Sequence, residues 1–85
     1  MTHKRLRAHI PAIYQIQVQG VLTPDWSDRL GSMAIDVDGL EGEAPITTLW
    51  GRLLDQAALC GILNALYDMR LPLLSVECED WEDED

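Results

Sequence analysis

Hydrophobic and polar residues alternate along residues 14–22: Tyr14, Ile16 and Val18 fall on one side, Gln15, Gln17 and Gln19 on the other. Strict alternation at period two predicts a half-buried strand. Residues 33–38 repeat the pattern, with Met33, Ile35 and Val37 set against Ala34, Asp36 and Asp38. Residues 46–54 are rich in β-branched and aromatic types and predict a third strand. Its phase stays open, because Leu49 and Trp50 are adjacent and cannot face the same way. Leu74, Val76 and Cys78 alternate with Ser75, Glu77 and Glu79 in a fourth strand.

The period changes between the third and fourth strands. Leu59, Ile62, Leu63, Leu66 and Met69 recur at helical spacing and form one stripe that must be buried. Asp55 suits the N-cap of this helix, and Pro72 stops it. A shorter helix is predicted over residues 23–31, with Thr23 at its cap, Pro24 in the first turn and Gly31 at the stop. Trp26 and Leu30 lie four apart on one face of it.

The order strand, short helix, strand, strand, long helix, strand predicts an α+β domain of ferredoxin-like βαββαβ type. Its four-stranded antiparallel sheet would carry both helices on one face. The first and last strands would then be antiparallel neighbours. Only residues 23–32 are left for the first crossover, where about a dozen is the usual minimum. The alternative is therefore a three-stranded meander followed by a helix and a fourth strand. Along the chain, residues 1–12 read as a basic flexible arm, 13–79 as a single domain, and 80–85 as an acidic disordered tail.

Charge sharpens the picture of partners. The 85-residue chain has a formal net charge of −9. Lys4, Arg5 and Arg7 make the start basic, whereas residues 77–85 carry seven acidic groups and no basic one. Such a balance repels phosphate backbones and anionic lipid, so neither nucleic acid nor membrane is expected as a partner. The arm and the tail are expected to attract each other, weakly and in a salt-sensitive way. No run approaches the roughly 18 apolar residues of a membrane span. The apolar residues near the start are interrupted by Pro11, unlike a secretion signal. A cytoplasmic location is expected, with Cys60 and Cys78 as free thiols in a reducing compartment.

Several of these segments carry a resemblance. Gly20-Val21-Leu22, Trp26-Ser27, Gly51-Arg52-Leu53-Leu54 with the Asp55-Gln56-Ala57-Ala58-Leu59 helix start, and Leu73-Leu74-Ser75-Val76 resemble a family of small, uncharacterised bacterial proteins. The resemblance covers residues 14–77, and the helix start and the final strand are its most specific parts. Members often have Gly just before the last strand, where this chain has Met69-Arg70. The resemblance implies a fold and no activity.

Reactive chemistry is sparse. Asp36, Asp38 and Glu41 lie close in sequence, but Gly39 follows the second Asp directly and Glu41 comes too early for a calcium loop. Asp-Gly is a strong turn signal instead. His3, His9, Cys60 and Cys78 have no metal-binding spacing, so no metal is expected. Both histidines fall in the arm, away from any fixed nucleophile, and no Gly-rich phosphate loop is present. Neither a cofactor nor a catalytic site is expected, and the chain does not read as an enzyme.

Surfaces are more informative. Gly61 lies outside the buried stripe, in line with Ala57 and Ala65. A small-residue row lets something come close: the short helix with Trp26, or a second subunit. If the helices cover one sheet face, the other presents Gln15, Gln17, Gln19, Ala34, Asp36, Asp38, Ser75 and Glu77, and Trp50, Thr48 and Arg52 join them in one of the two phases of the third strand. Aromatic residues and Arg are enriched at interface centres. Trp81 is an apolar anchor among acids that could meet a basic protein surface. The expectation is a homodimeric protein-interaction or regulatory module, with contacts through Gln15, Gln17, Gln19, Trp50, Arg52, Gly61 and Trp81. Two other readings remain open: a small-ligand sensor with a pocket between Trp26, Gly61 and the first loop, and an enzyme whose site forms at a dimer interface.

Overall fold

A computed structural model describes residues 6–39 and 44–81. The alternating segments become four strands: β1 (Ala12–Gln19), β2 (Ala34–Asp38), β3 (Ile46–Leu53) and β4 (Leu73–Trp81). A helix, α1 (Gln56–Asp68), joins β3 to β4. The sheet order is β2-β3-β1-β4, and every neighbouring pair is antiparallel. β1 is central, so Ala12 pairs with Leu53 on one side and Trp81 on the other.

The ferredoxin-like βαββαβ arrangement with two helices on one face does not form. Between β1 and β2 the chain makes only a six-residue 3-10 helix, Pro24–Arg29. Among the described residues α1 is the single α-helix. The meander is not formed either, since β2 pairs with β3 alone and β1 lies between β3 and β4. The antiparallel sheet and the adjacency of the first and last strands are as expected.

The length of the crossover explains the missing helix. β1 and β2 are both antiparallel to β3, so the connection must travel back along the sheet within residues 20–33. A 3-10 helix rises about 2.0 Å per residue against about 1.5 Å for an α-helix, so it covers more distance with fewer residues. Thr23 supplies no side-chain cap. The segment is instead tied at its end by Ser27, whose hydroxyl donates to the carbonyl of Met33 at 2.7 Å. The Ser27 carbonyl accepts the N–H groups of Leu30 at 3.1 Å and Ser32 at 2.8 Å. Gly31 follows with φ 68, and a Cβ there would come within 3.0 Å of the Ile62 and Leu53 side chains.

The core lies between the sheet and the connecting segments. Ala12, Tyr14, Ile16 and Val18 enter it from β1, Leu49 and Leu53 from β3, and Leu59, Ile62 and Leu66 from α1. Leu22, Leu30 and Met33 close it from the crossover. α1 begins where its cap requires, with Asp55 Oδ1 accepting the Ala58 N–H at 2.8 Å. It ends in a Schellman turn: Leu71 N–H donates to the Leu66 carbonyl at 3.2 Å, and Arg70 N–H to that of Tyr67 at 2.9 Å. Arg70 occupies the left-handed position of this turn, with φ 62. Residues 6–11, expected within the arm, lie against the domain. Ile10 is buried, and the Ala8 carbonyl accepts the Gln56 N–H at 2.8 Å.

Candidate functional site

One face of the sheet is covered and the other is open. The register settles the phase of β3: Leu49 points into the core, and Trp50 stands on the open face opposite Gln15 of β1 and Ala34 of β2. Trp50 is 42% exposed, and Ile13 beside it is 40% exposed. Side chains on this face form rows across the strands. Asp36, Thr48, Gln17 and Ser75 make one row. Within it Gln17 Nε2 donates to Thr48 Oγ1 at 3.4 Å, and Ser75 Oγ donates to Gln17 Oε1 at 3.1 Å. Gln17 is thus held from both sides, which fixes the polar surface beside Trp50. The next row is Ala34, Trp50, Gln15 and Glu77, followed by Arg52, Ile13 and Asp80.

Of the residues expected to make contacts, Gln15, Gln17, Gln19, Trp50 and Arg52 share this open face. Gly61 is elsewhere, on the outward side of α1, and a Cβ at that position would meet nothing within 4 Å. The short helix does not nest there. Trp26 is half-buried against the core, with the Arg29 guanidinium 5.3 Å from its ring centroid. The cavity beside it, 330 Å³ in volume, is lined by Thr23, Asp25, Trp26 and Arg29, without Gly61. Asp80 and Trp81, expected in the tail, are the last residues of β4. Trp81 lies opposite Ala12, partly buried against the core, on the face away from Trp50.

The open face also holds a residue that pattern reading passed over. Ile13 precedes the first Gln and falls on the glutamine side of the same alternation, so its exposure follows from a period already visible. On the helix side, Leu73 and Val76 remain 53% and 37% exposed although they lie opposite the buried Val18 and Ile16. An apolar residue on an outer strand looks identical in sequence to one in the core. Only the strand order separates them.

The chemistry of the described residues is that of a surface. Among them no group of three His, Cys, Asp or Glu side chains is placed to hold a metal ion. Gly39 takes φ 78 and its N–H donates to Asp38 Oδ1 at 3.1 Å, as a turn requires, while Glu41 lies outside the described residues. Cys60 is an exposed free thiol on α1, and Cys78 is a partly buried one on β4. Burial, then the Asp80 carboxylate, pushes the Cys78 thiol above its ordinary pKa, with Glu79 adding to the effect against an opposing hydrogen bond to the Asp80 backbone. No helix among the described residues is long and apolar enough to cross a membrane.

Comparison with known proteins gives a family and no activity. The model of a domain of unknown function, DUF8691, matches residues 13–77, and the chain belongs to that family. An uncharacterised family over this span is what the sequence resemblance implied. No curated protein and no solved structure matches the chain.

Proposed function

We propose that this DUF8691 chain is a protein-interaction module that associates with a second copy of itself through the open face of the sheet. The observation that carries this reading is Trp50, a large aromatic side chain 42% exposed in the middle of that face with Ile13 next to it. A buried aromatic surrounded by polar groups is the usual anatomy of an interface centre. Charge supports the pairing. Arg52 stands on one side of the Trp50 row and Asp36 on the other. A two-fold axis crossing the strands at the level of Trp50 stacks this ring on its copy and brings Arg52 towards the partner's Asp36. A cytoplasmic location belongs to the same reading, since the exposed free thiol of Cys60 suits a reducing compartment.

Sedimentation velocity at micromolar concentration tests it. The wild type sediments as a dimer, and Trp50→Ala as a folded monomer. A monomeric wild type, or a Trp50→Ala dimer of unchanged affinity, removes the proposal.

A further inference from the structure

Among the described residues β4 is an outer strand, nine residues long, and pairs with β1 alone. The other outer strand, β2, is five residues long and carries Asp36 and Asp38 on its open face. Short, charged edges resist pairing with further strands. β4 is charged too, at Glu77 and Glu79, and carries two register shifts, but it is longer and borders an apolar groove. On its helix side, exposed Leu73 and Val76 lead into a groove of 330 Å³ lined by Leu63, Leu66, Tyr67, Leu71 and Leu73, among others. Tyr67, on the α1 wall of that groove, is 79% exposed. An edge strand beside a helix-walled apolar groove has the two features that strand addition uses: main-chain groups for affinity and a pocket for alternate side chains.

Charge selects the occupant. Glu77 and Glu79 lie along the strand, and residues 77–85 carry seven acids and no base. A second β4, paired antiparallel over its full length, would centre on Glu77 and set it against itself. Like charges directly opposite one another across a strand pair are destabilising. An incoming strand with Lys or Arg at alternate positions meets the acids, and its intervening apolar side chains meet Val76, Leu73 and the groove. The geometry points to β4 as an acceptor for an extended segment of a partner protein in which basic and apolar residues alternate, bound as a fifth strand with an apolar side chain in the α1–β4 groove. The groove, Leu73 and Val76 lie on the face away from Trp50, whereas Glu77 stands at the β4 end of the Trp50 row; the inference stands without the dimer.

The probe is the heptapeptide Lys-Val-Lys-Val-Lys-Val-Lys, titrated at low salt into the isotope-labelled full chain. Binding is expected to saturate, to shift the amides of residues 73–79 and of Leu63 and Tyr67, and to slow amide exchange in β4. Methylating alternate backbone nitrogens of the peptide is expected to weaken binding about tenfold or more, because the added strand loses its main-chain donors. Leu73→Glu, checked for an unchanged amide spectrum elsewhere, weakens it similarly. Glu77→Lys combined with Glu79→Lys shifts preference to the peptide with Glu in place of every Lys. Equal binding of the methylated peptide, or shifts without slowed exchange in β4, would mean charge attraction alone and overturn the inference. Concentration-dependent protection of β4 in the absence of peptide would assign the edge to a second copy and overturn it equally.

Discussion

The hydroxyl of Thr47, on β3, donates to the carbonyl oxygen of Gly20 at 2.7 Å. The hydroxyl oxygen in turn accepts the N–H of Leu22 at 3.1 Å. Thr47 is fully buried, so one side chain satisfies two main-chain groups of the turn that leaves β1. Gly20 is needed there: its φ is 117, and a Cβ would come within 2.9 Å of Leu71. Thr47→Val keeps the shape and strands both groups. Each unsatisfied buried group costs about 1–3 kcal/mol. We expect Thr47→Val to lower the urea-unfolding free energy by about 2–3 kcal/mol, with Thr47→Ser recovering most of it. A loss below about 0.5 kcal/mol would show that these bonds are replaced by water.

Arg70 stands where a helix end favours glycine. Its φ of 62 is left-handed, and its N–H closes the turn onto Tyr67. A left-handed residue other than glycine costs roughly 1–2 kcal/mol. Arg70→Gly therefore raises the unfolding midpoint, by about 1 kcal/mol in free energy after the added entropy of the unfolded chain is subtracted. Thermal and urea melts of the pair measure this directly.

Gly61 lies inside the continuous α1, and the described residues give no steric reason for a glycine there. A methyl group added there would meet nothing within 4 Å. Gly61→Ala is expected to stabilise the domain by about 1 kcal/mol, the difference in helix propensity. The dimer proposed through Trp50 is expected to keep its affinity in this variant. If stability rises but association is lost, the outward side of α1 is the contact surface, and the open sheet face is not.

Tyr14 is buried in the core, and its hydroxyl has no hydrogen-bond partner among the described residues. Removing an unsatisfied hydroxyl is expected to be neutral or to stabilise by about 1 kcal/mol. Tyr14→Phe tests it. A loss of more than about 1 kcal/mol would reveal a bound group or solvent on that oxygen.

The two thiols should separate in alkylation. Cys60 is exposed, whereas Cys78 is partly buried and its pKa is raised by burial and then by Asp80. Only the thiolate is nucleophilic, so iodoacetamide at neutral pH modifies Cys60 first. The linkage has a definite sign. Cys78 stays protonated in the folded chain at pH values where the unfolded chain ionises it. Its contribution to stability is complete below the ordinary thiol pKa and fades as pH rises through the raised value. Mass mapping of a partial reaction, repeated at rising pH, checks the order of the two thiols, and urea melts over the same pH range check the linkage.

Much of this molecule could be read from its residues. The alternation from Tyr14 to Val18 placed three core side chains and the facing glutamines correctly, because a buried face and a solvent face impose period two. Asp55 and the stripe through Leu59, Ile62 and Leu66 located α1 for the same kind of reason. The first crossover misled: Thr23, Pro24 and Gly31 are local signals, and they say nothing of the distance the segment must span. The phase of β3 was undecidable from Leu49-Trp50 alone and was fixed by pairing with Gln15 and Ala34. The two register shifts along β4, which leave Leu74 and Glu79 without direct partners on β1, have no signature in the residues themselves.

The central position of β1 has a consequence for biosynthesis. Of the four strands it leaves the ribosome first, yet its neighbours are β3 and β4, and its Ala12 waits for Trp81 at the end of β4. Only β2 and β3 can zip together as neighbours in sequence. Such non-local pairing predicts folding in milliseconds to seconds, not microseconds. Until β4 has been synthesised, Ile16 and Val18 stay open on one edge, and the nascent chain is then most exposed to mispairing and to chaperones.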